Sequence, residues 1–359
     1  MASTSKARQN KLVKLAMAGE ATVGTYQPLT TGTFVLPITS FSPPSPDRGT
    51  RLIARNATLD GFGGGMLGVI GSFGWTVSAE AEIHAPGVDG NLPYWLVMLL
   101  ASGHECNPGG TEGDFTVLDI TPTLSNQELA NFSTADNEHP PCSVSLSWIR
   151  NNDQVEDTVI RMRGCTGATT FNLATNEIAK ISTTFVGLLQ NNELLDSSDV
   201  NVSALGDYST DKPYVVKGIT LQLLDDTATP VNVYGLRNLT FNTGFETPDN
   251  IDPTEQWGFS ITPPILNTEP TLSFAISNTS TVDQYLADAM LAGALFSINV
   301  TLASDTDDNR IRFVFPQCQY TGISEVDNGG LADYQIEAVV VRTPGDSFLY
   351  GIQHLYKTS

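Results

Sequence analysis

The chain has 359 residues, of which 39 are acidic and 18 basic, for a net charge of −21. So acidic a body repels phosphate, which excludes tight binding of nucleic acid. The length exceeds what one core usually serves, so two domains are expected, and 31 glycines, 20 prolines and many strand-type residues point to a mainly β fold.

The first 18 residues hold Lys6, Arg8, Lys11 and Lys14 and no acid. Together with Leu12, Val13, Leu15 and Met17 they read as an N-terminal arm over 1–18, loose until it meets an acidic neighbour. The apolar stretch LVKLAMAGEA is too short and interrupted for a secretory leader, and no run approaches a membrane-spanning length. A first domain is expected over 19–190. Gly61-Phe-Gly-Gly-Gly-Met-Leu-Gly68 lacks the Gly-Lys-Ser/Thr of a phosphate loop and reads as a turn. Residues 72–82 alternate as a strand, and Pro93–Gly103 reads as a short helix closed by glycine. An insertion of about 104–139 follows, with a possible strand at Phe115–Ile120. A polar run over 191–213 reads as a linker, and a second domain is expected over 214–359.

Two stretches share one pattern, CSVSLSWIRNNDQVEDTVIRMRGC at 142–165 and FSINVTLASDTDDNRIRFVFPQC at 296–318. Val144, Leu146 and Trp148 alternate with serines as Ile298, Val300 and Leu302 alternate with polar residues. Cys165 falls on Cys318. Period-two alternation marks half-buried strands, so each stretch is expected to be a long antiparallel hairpin with one wet face. The likeness extends to 178–186 with 331–339, to the helix 93–103 with 283–293, and to 72–82 with 236–246. An internal duplication is the natural reading.

The residues offer little chemistry. His84, His104, His139 and His354 have no partner at metal-ligand spacing, and no nucleophile elbow is present. Asp305-Thr-Asp-Asp-Asn309 supplies hard oxygens without the spacing of an EF-hand loop, and a polar hairpin tip explains it. Cys165 and Cys318 read as small buried thiols, while Cys106 and Cys142 could pair across the loop between them. No enzyme, cofactor or metal is expected.

Gly19-Glu-Ala-Thr-Val-Gly-Thr-Tyr-Gln-Pro28, the strand Trp75–Glu82 and the Pro93–Gly103 helix resemble the major tail tube proteins of long-tailed, siphovirus-like bacteriophages. The second half, from Lys217-Gly-Ile-Thr-Leu-Gln-Leu through Asp327-Asn-Gly-Gly-Leu-Ala-Asp333, is similar to the second half of their longer members. The resemblance spans most of 19–341. It implies two tandem β-sandwich or barrel units, each with a flanking helix, whose inner sheets join around a channel for DNA at ejection. It also implies a virion tail location after assembly in the host cytoplasm, and other tail proteins at the tube ends as partners. A tape measure protein in the lumen and transient, non-specific passage of DNA complete the implied partners. No membrane is involved. On that reading the chain builds homotrimeric rings that stack into a tube. Asp333, Gln335 and Glu337, with Lys180, Ser182 and Thr184 at the matching places, are the expected lumen-facing residues. The basic arm residues Lys6, Arg8, Lys11 and Lys14 are the expected inter-ring contact. A fibre or decoration protein is the main alternative, and an acidic binding module the next.

Overall fold

A computed structural model describes residues 13–20, 23–28, 34–36, 38–49, 52–59, 62–70, 73–84, 93–122, 143–150, 158–190, 213–216, 220–224, 230–233, 236–247, 265–266, 269–277, 293, 295–303, 309–341 and 349–357. The chain begins with β1 (Val13–Gly19), β2 (Phe34–Leu36) and β3 (Ile38–Gly49). A separate hairpin of β4 (Leu52–Leu59) and β5 (Phe62–Ile70) precedes β6 (Phe73–Glu82). The short helix α1 (Leu96–Leu100) leads into the hairpin of β7 (His104–Glu112) and β8 (Phe115–Pro122). Then come β9 (Val144–Arg150), β10 (Thr158–Ala174) and β11 (Lys180–Leu189). The second half holds β12 (Thr220–Leu224), β13 (Pro230–Val233), β14 (Leu236–Asn242), β15 (Phe245–Glu246) and β16 (Ile265–Leu266). It continues with β17 (Thr271–Ser277), β18 (Leu295–Ala303), β19 (Asn309–Asn328), β20 (Leu331–Val340) and β21 (Gly351–Lys357). Apart from the two small hairpins β4–β5 and β15–β16, the strands join one large antiparallel sheet, so the protein is mainly β.

The two halves repeat one pairing scheme. β1, β2, β3, β6, β9, β10 and β11 take the places that β12, β13, β14, β17, β18, β19 and β20 take later. The irregularities repeat as well. Leu146 faces Met162 and Val144 faces Cys165, so one extra residue bulges from β10 between them. Ile298 faces Phe315 and Phe296 faces Cys318, the same bulge in β19. A second shift falls between Ile38 and Ser40 in β3, and between Leu236 and Asn238 in β14. A bulge bends its strand and leaves one residue out of the ladder, so its place is part of the design of a sheet.

These registers correct two equivalences expected from pattern. β6 corresponds to β17, not to 236–246, and β14 corresponds to β3. In the hairpins Leu146 corresponds to Ile298, two residues away from the match with Val300 that alternation suggests. A slip of two keeps every side chain on its own face, so a period-two pattern cannot detect it. The helix is also shorter than expected, at Leu96–Leu100 within 93–103, with Gly103 beyond it at φ 75 in the left-handed region. Residues 283–292, expected as the second helix, lie outside the described residues; Gly293 after them has φ 60.

The serine face of β9 is not wet. Ser143, Ser145 and Ser147 are buried, because the segment after β1 folds over them. Glu20, fully buried, is the centre of this contact. Its carboxylate accepts hydrogen bonds from the Gly24 N–H (2.7 Å), the Ser143 hydroxyl (2.7 Å), the Ser145 hydroxyl (2.9 Å) and the Gly164 N–H (2.8 Å). Gly164 lies in the β10 bulge and has φ 58, a conformation suited to glycine. Tyr26 bonds Ser147 at 2.8 Å, and the Gln27 N–H donates to Ser145 at 2.8 Å. Residues 13–18, assigned to the arm by their charge pattern, form β1, with Lys14 opposite Ile149; Lys6, Arg8 and Lys11 lie outside the described residues.

The insertion acts as a clasp between the halves. β8 pairs with the C-terminal strand β21, which itself pairs with β19. Arg312 on β19 makes two hydrogen bonds to the Glu112 carboxylate, at 2.8 and 2.9 Å, and the Arg310 guanidinium lies 4.6 Å from the centre of the Phe115 ring. Gln353 donates to Asp119 at 2.8 Å. At the root of the clasp, buried His104 donates from Nδ1 to the Leu99 carbonyl (3.1 Å) and accepts the Tyr350 hydroxyl at Nε2 (2.8 Å). Cys106 is a free thiol; Cys142, with which it could pair, lies outside the described residues. The main core beneath is a cluster running from Leu15 to Ile352, shared by both halves. Phe171 of the first half meets Phe313 of the second edge-on at 5.1 Å.

Candidate functional site

Eight strands stand side by side in the order β3, β6, β11, β10, β14, β17, β20, β19. The first four come from the first half and the last four from the second, joined where Thr170–Ala174 of β10 pairs with Asn238–Asn242 of β14. Residues opposite one another in an antiparallel pair share a face. A single row therefore runs Glu82, Lys180, Asn172, Thr240, Ser273, Glu337, Gly322. All six residues expected on a wet surface, Lys180, Ser182, Thr184, Asp333, Gln335 and Glu337, lie on this one face. On the other face Val77, Ile181, Phe171, Phe241, Phe274 and Ile336 are buried in the core.

Hydroxyls and amides dominate the polar face. Ser78 bonds Thr184 at 3.0 Å, Gln335 donates to Ser273 at 2.8 Å, and Thr240 donates to Asn172 at 3.4 Å. Ser40, Ser42, Ser78, Thr170, Ser182 and Thr184 line a trough of about 410 Å³ in the first half. Among the described side chains of this face the acids are Glu80, Glu82, Asp333 and Glu337, and the bases are Lys180 and Arg237. Its described side chains are therefore only mildly acidic. Most of the net charge of −21 lies elsewhere.

Both bases are engaged, at equivalent points and with reversed polarity. In the first half Lys180 meets Glu80 at 3.0 Å, and the Thr39 hydroxyl at the β3 bulge donates to the same carboxylate oxygen at 2.7 Å. Burial alone raises the Glu80 pKa, but the Thr39 and Lys180 hydrogen bonds and the Lys180 charge overcome it and hold it below the ordinary value. In the second half the position of Lys180 is taken by Asp333 and that of Thr39 by Arg237, which meet at 3.4 Å. Asp333 is thus not the wet residue that alternation predicts; it is 4% exposed, roofed by Arg237 from the bulge. Thr39 and Arg237 went unnoticed in the sequence because a bulge residue falls outside the period of two.

This arrangement separates two charge reversals. Asp333→Lys sets an ammonium against Arg237 and is expected to cost about 2 kcal/mol, less than a fully buried pair because solvent screens the exposed Arg237. Glu337→Lys, on an exposed side chain, is expected to stay within about 0.5 kcal/mol of the parent. Urea unfolding of the two variants checks this, and equal effects would refute the roofed geometry.

Among the described residues no group of three or more His, Cys, Asp or Glu side chains comes together. None of their helices is long and apolar enough to cross a membrane. No protein-family model matches the chain, and no curated protein matches it.

Proposed function

We propose that this chain is a structural virion protein whose copies close into rings and stack into the tail tube of a long-tailed bacteriophage, with the polar sheet face lining the channel. One observation carries the reading. A single chain supplies two equivalent four-strand sectors already joined edge to edge, with one continuous polar face and one continuous buried face. Each half is then a tail-tube-like β-sandwich unit. Three copies of the eight-strand row, at ~4.8 Å per strand and a tilt of about 40°, give a wall about 48 Å across. That exceeds the 16–18-stranded porins, which already leave an aqueous channel.

The chemistry of the face favours a conduit over a binding surface. Among the described side chains of the face the cations, Lys180 and Arg237, are each held by a carboxylate, which leaves them little charge with which to grip passing phosphates. Ring closure removes lateral edges, while stacking is a head-to-tail contact that does not close and so extends as a filament. The expected result of negative-stain microscopy on the purified full chain is stacked rings of three copies with approximate sixfold symmetry. Six chains per ring, or monomers alone at high concentration with no tubes in the virion, would exclude the reading.

A further inference from the structure

Each half contains one strand edge whose counterpart in the other half is paired. β10 leaves β9 at Cys165, and from Thr170 onward the same edge is taken by β14. β19 leaves β18 at Gln319, and its corresponding edge, from Ser324 to 328, has no strand partner among the described residues. Similarly, β14 lies between β10 and β17, whereas its counterpart β3 pairs among the described residues with β6 alone. The two unpaired edges are therefore the counterparts of the two strands that meet inside the chain. They belong to the first and last strands of the eight-strand row, seven spacings apart along the sheet, and among the described residues they do not pair with each other.

We propose that β19 of one copy pairs antiparallel with β3 of a second copy, in the register Val326↔Ser42, Asp327↔Phe41 and Asn328↔Ser40. This register is the image of Asn172↔Thr240, Leu173↔Leu239 and Ala174↔Asn238 at the internal junction. The correspondence follows from shared partners. Asn172 faces Lys180 as Val326 faces Asp333, and Thr240 faces Ser273 as Ser42 faces Ser78. The proposal rests on the assembly proposed above and specifies its lateral contact.

The side chains fit such a seam and limit it. Val326 is a large hydrophobic residue on the polar face, left 47% exposed at an open edge, and pairing with β3 shields its outer flank. On the opposite face Glu325 and Asp327 stand where the internal junction has buried Phe171 and Leu173. Charges on an edge strand keep it from pairing indiscriminately. Pro43 and Pro44 occupy the places of Phe241 and Asn242, and without N–H groups they end the ladder at Ser42. The intermolecular seam is thus shorter than the internal one and weaker, as suits subunits that must remain separate until assembly begins.

The test is disulfide trapping in the full chain. In a Cys106→Ser, Cys142→Ser background, Ser42→Cys with Val326→Cys is oxidised and run without reductant, beside an out-of-register control, Ser42→Cys with Ser324→Cys. The in-register pair is expected to give a ladder ending at trimer, with at least tenfold more cross-linked product than the control. If rings form by microscopy and the in-register pair yields no more product than the control, the seam is overturned and the assembly stands. If the parent chain forms no rings and neither pair cross-links, both fall together.

Discussion

Glu20→Ala is expected to lower stability by about 3–5 kcal/mol, because it strips the buried carboxylate from the four donors that converge on it. The Gly24 and Gly164 amides and the Ser143 and Ser145 hydroxyls all converge on it. Removing it releases the segment over β9, loosens β1 and exposes a serine face that the fold has taken out of water. Glu20→Gln keeps the size but turns an amide N–H₂ toward donors, so about 1–3 kcal/mol of loss is expected. Urea denaturation followed by tryptophan fluorescence measures both. A loss below about 1 kcal/mol for the alanine variant would show that the contact is replaceable.

Acid should unfold the protein through two histidines. Burial, which disfavours the charged form, holds His104 at about 4 despite opposing hydrogen bonds from the ring to the backbone at Leu99 and Ser102. Burial does the same to His354, also at about 4, where neither ring nitrogen has a hydrogen-bond partner among the described residues. The unfolded chain takes up each proton near pH 6.5, before the folded one does. The stability tied to each histidine is complete above that pH and is lost as pH falls toward 4, at about 1.4 kcal/mol per unit. Each site therefore contributes a loss on the order of 3 kcal/mol across the window. Melting temperature against pH checks this. His354→Leu is expected to remove about half of the slope without harm at pH 7.5. A slope unchanged in both His354→Leu and His104→Gln would assign acid sensitivity to the carboxylates.

The sequence carried the strands well and their relations less well. Alternation located β9, β10, β18, β19 and β20, and it placed Lys180, Ser182, Thr184, Gln335 and Glu337 on a common polar face. It missed Asp333 because the residue that covers it, Arg237, sits in a bulge on another strand. It also assigned Ser143, Ser145 and Ser147 to solvent, since small hydroxyls look the same whether water or a neighbouring carboxylate satisfies them. The partner of β8 was beyond any local pattern. β21 lies more than 200 positions away, and long-range pairing leaves no trace in the periodicity of either strand.

The shared strand β10 has a consequence for how the molecule comes apart. Its early residues pair with β9, its middle with β11 and its end with β14, so it belongs to both halves at once. Phe171 and Leu173 near that end are buried in the common cluster, and melting either half would leave them bare. Neither half then has a stable state in which the other is unfolded. Local openings are expected in parts outside this ladder, such as the exposed turn between β7 and β8. A chain of 359 residues is long enough for stepwise melting, yet this one should lose both halves in a single cooperative transition. A cut in the backbone between β11 and β12 would leave two fragments bound to one another, held by the β10–β14 ladder and the aromatic contacts behind it.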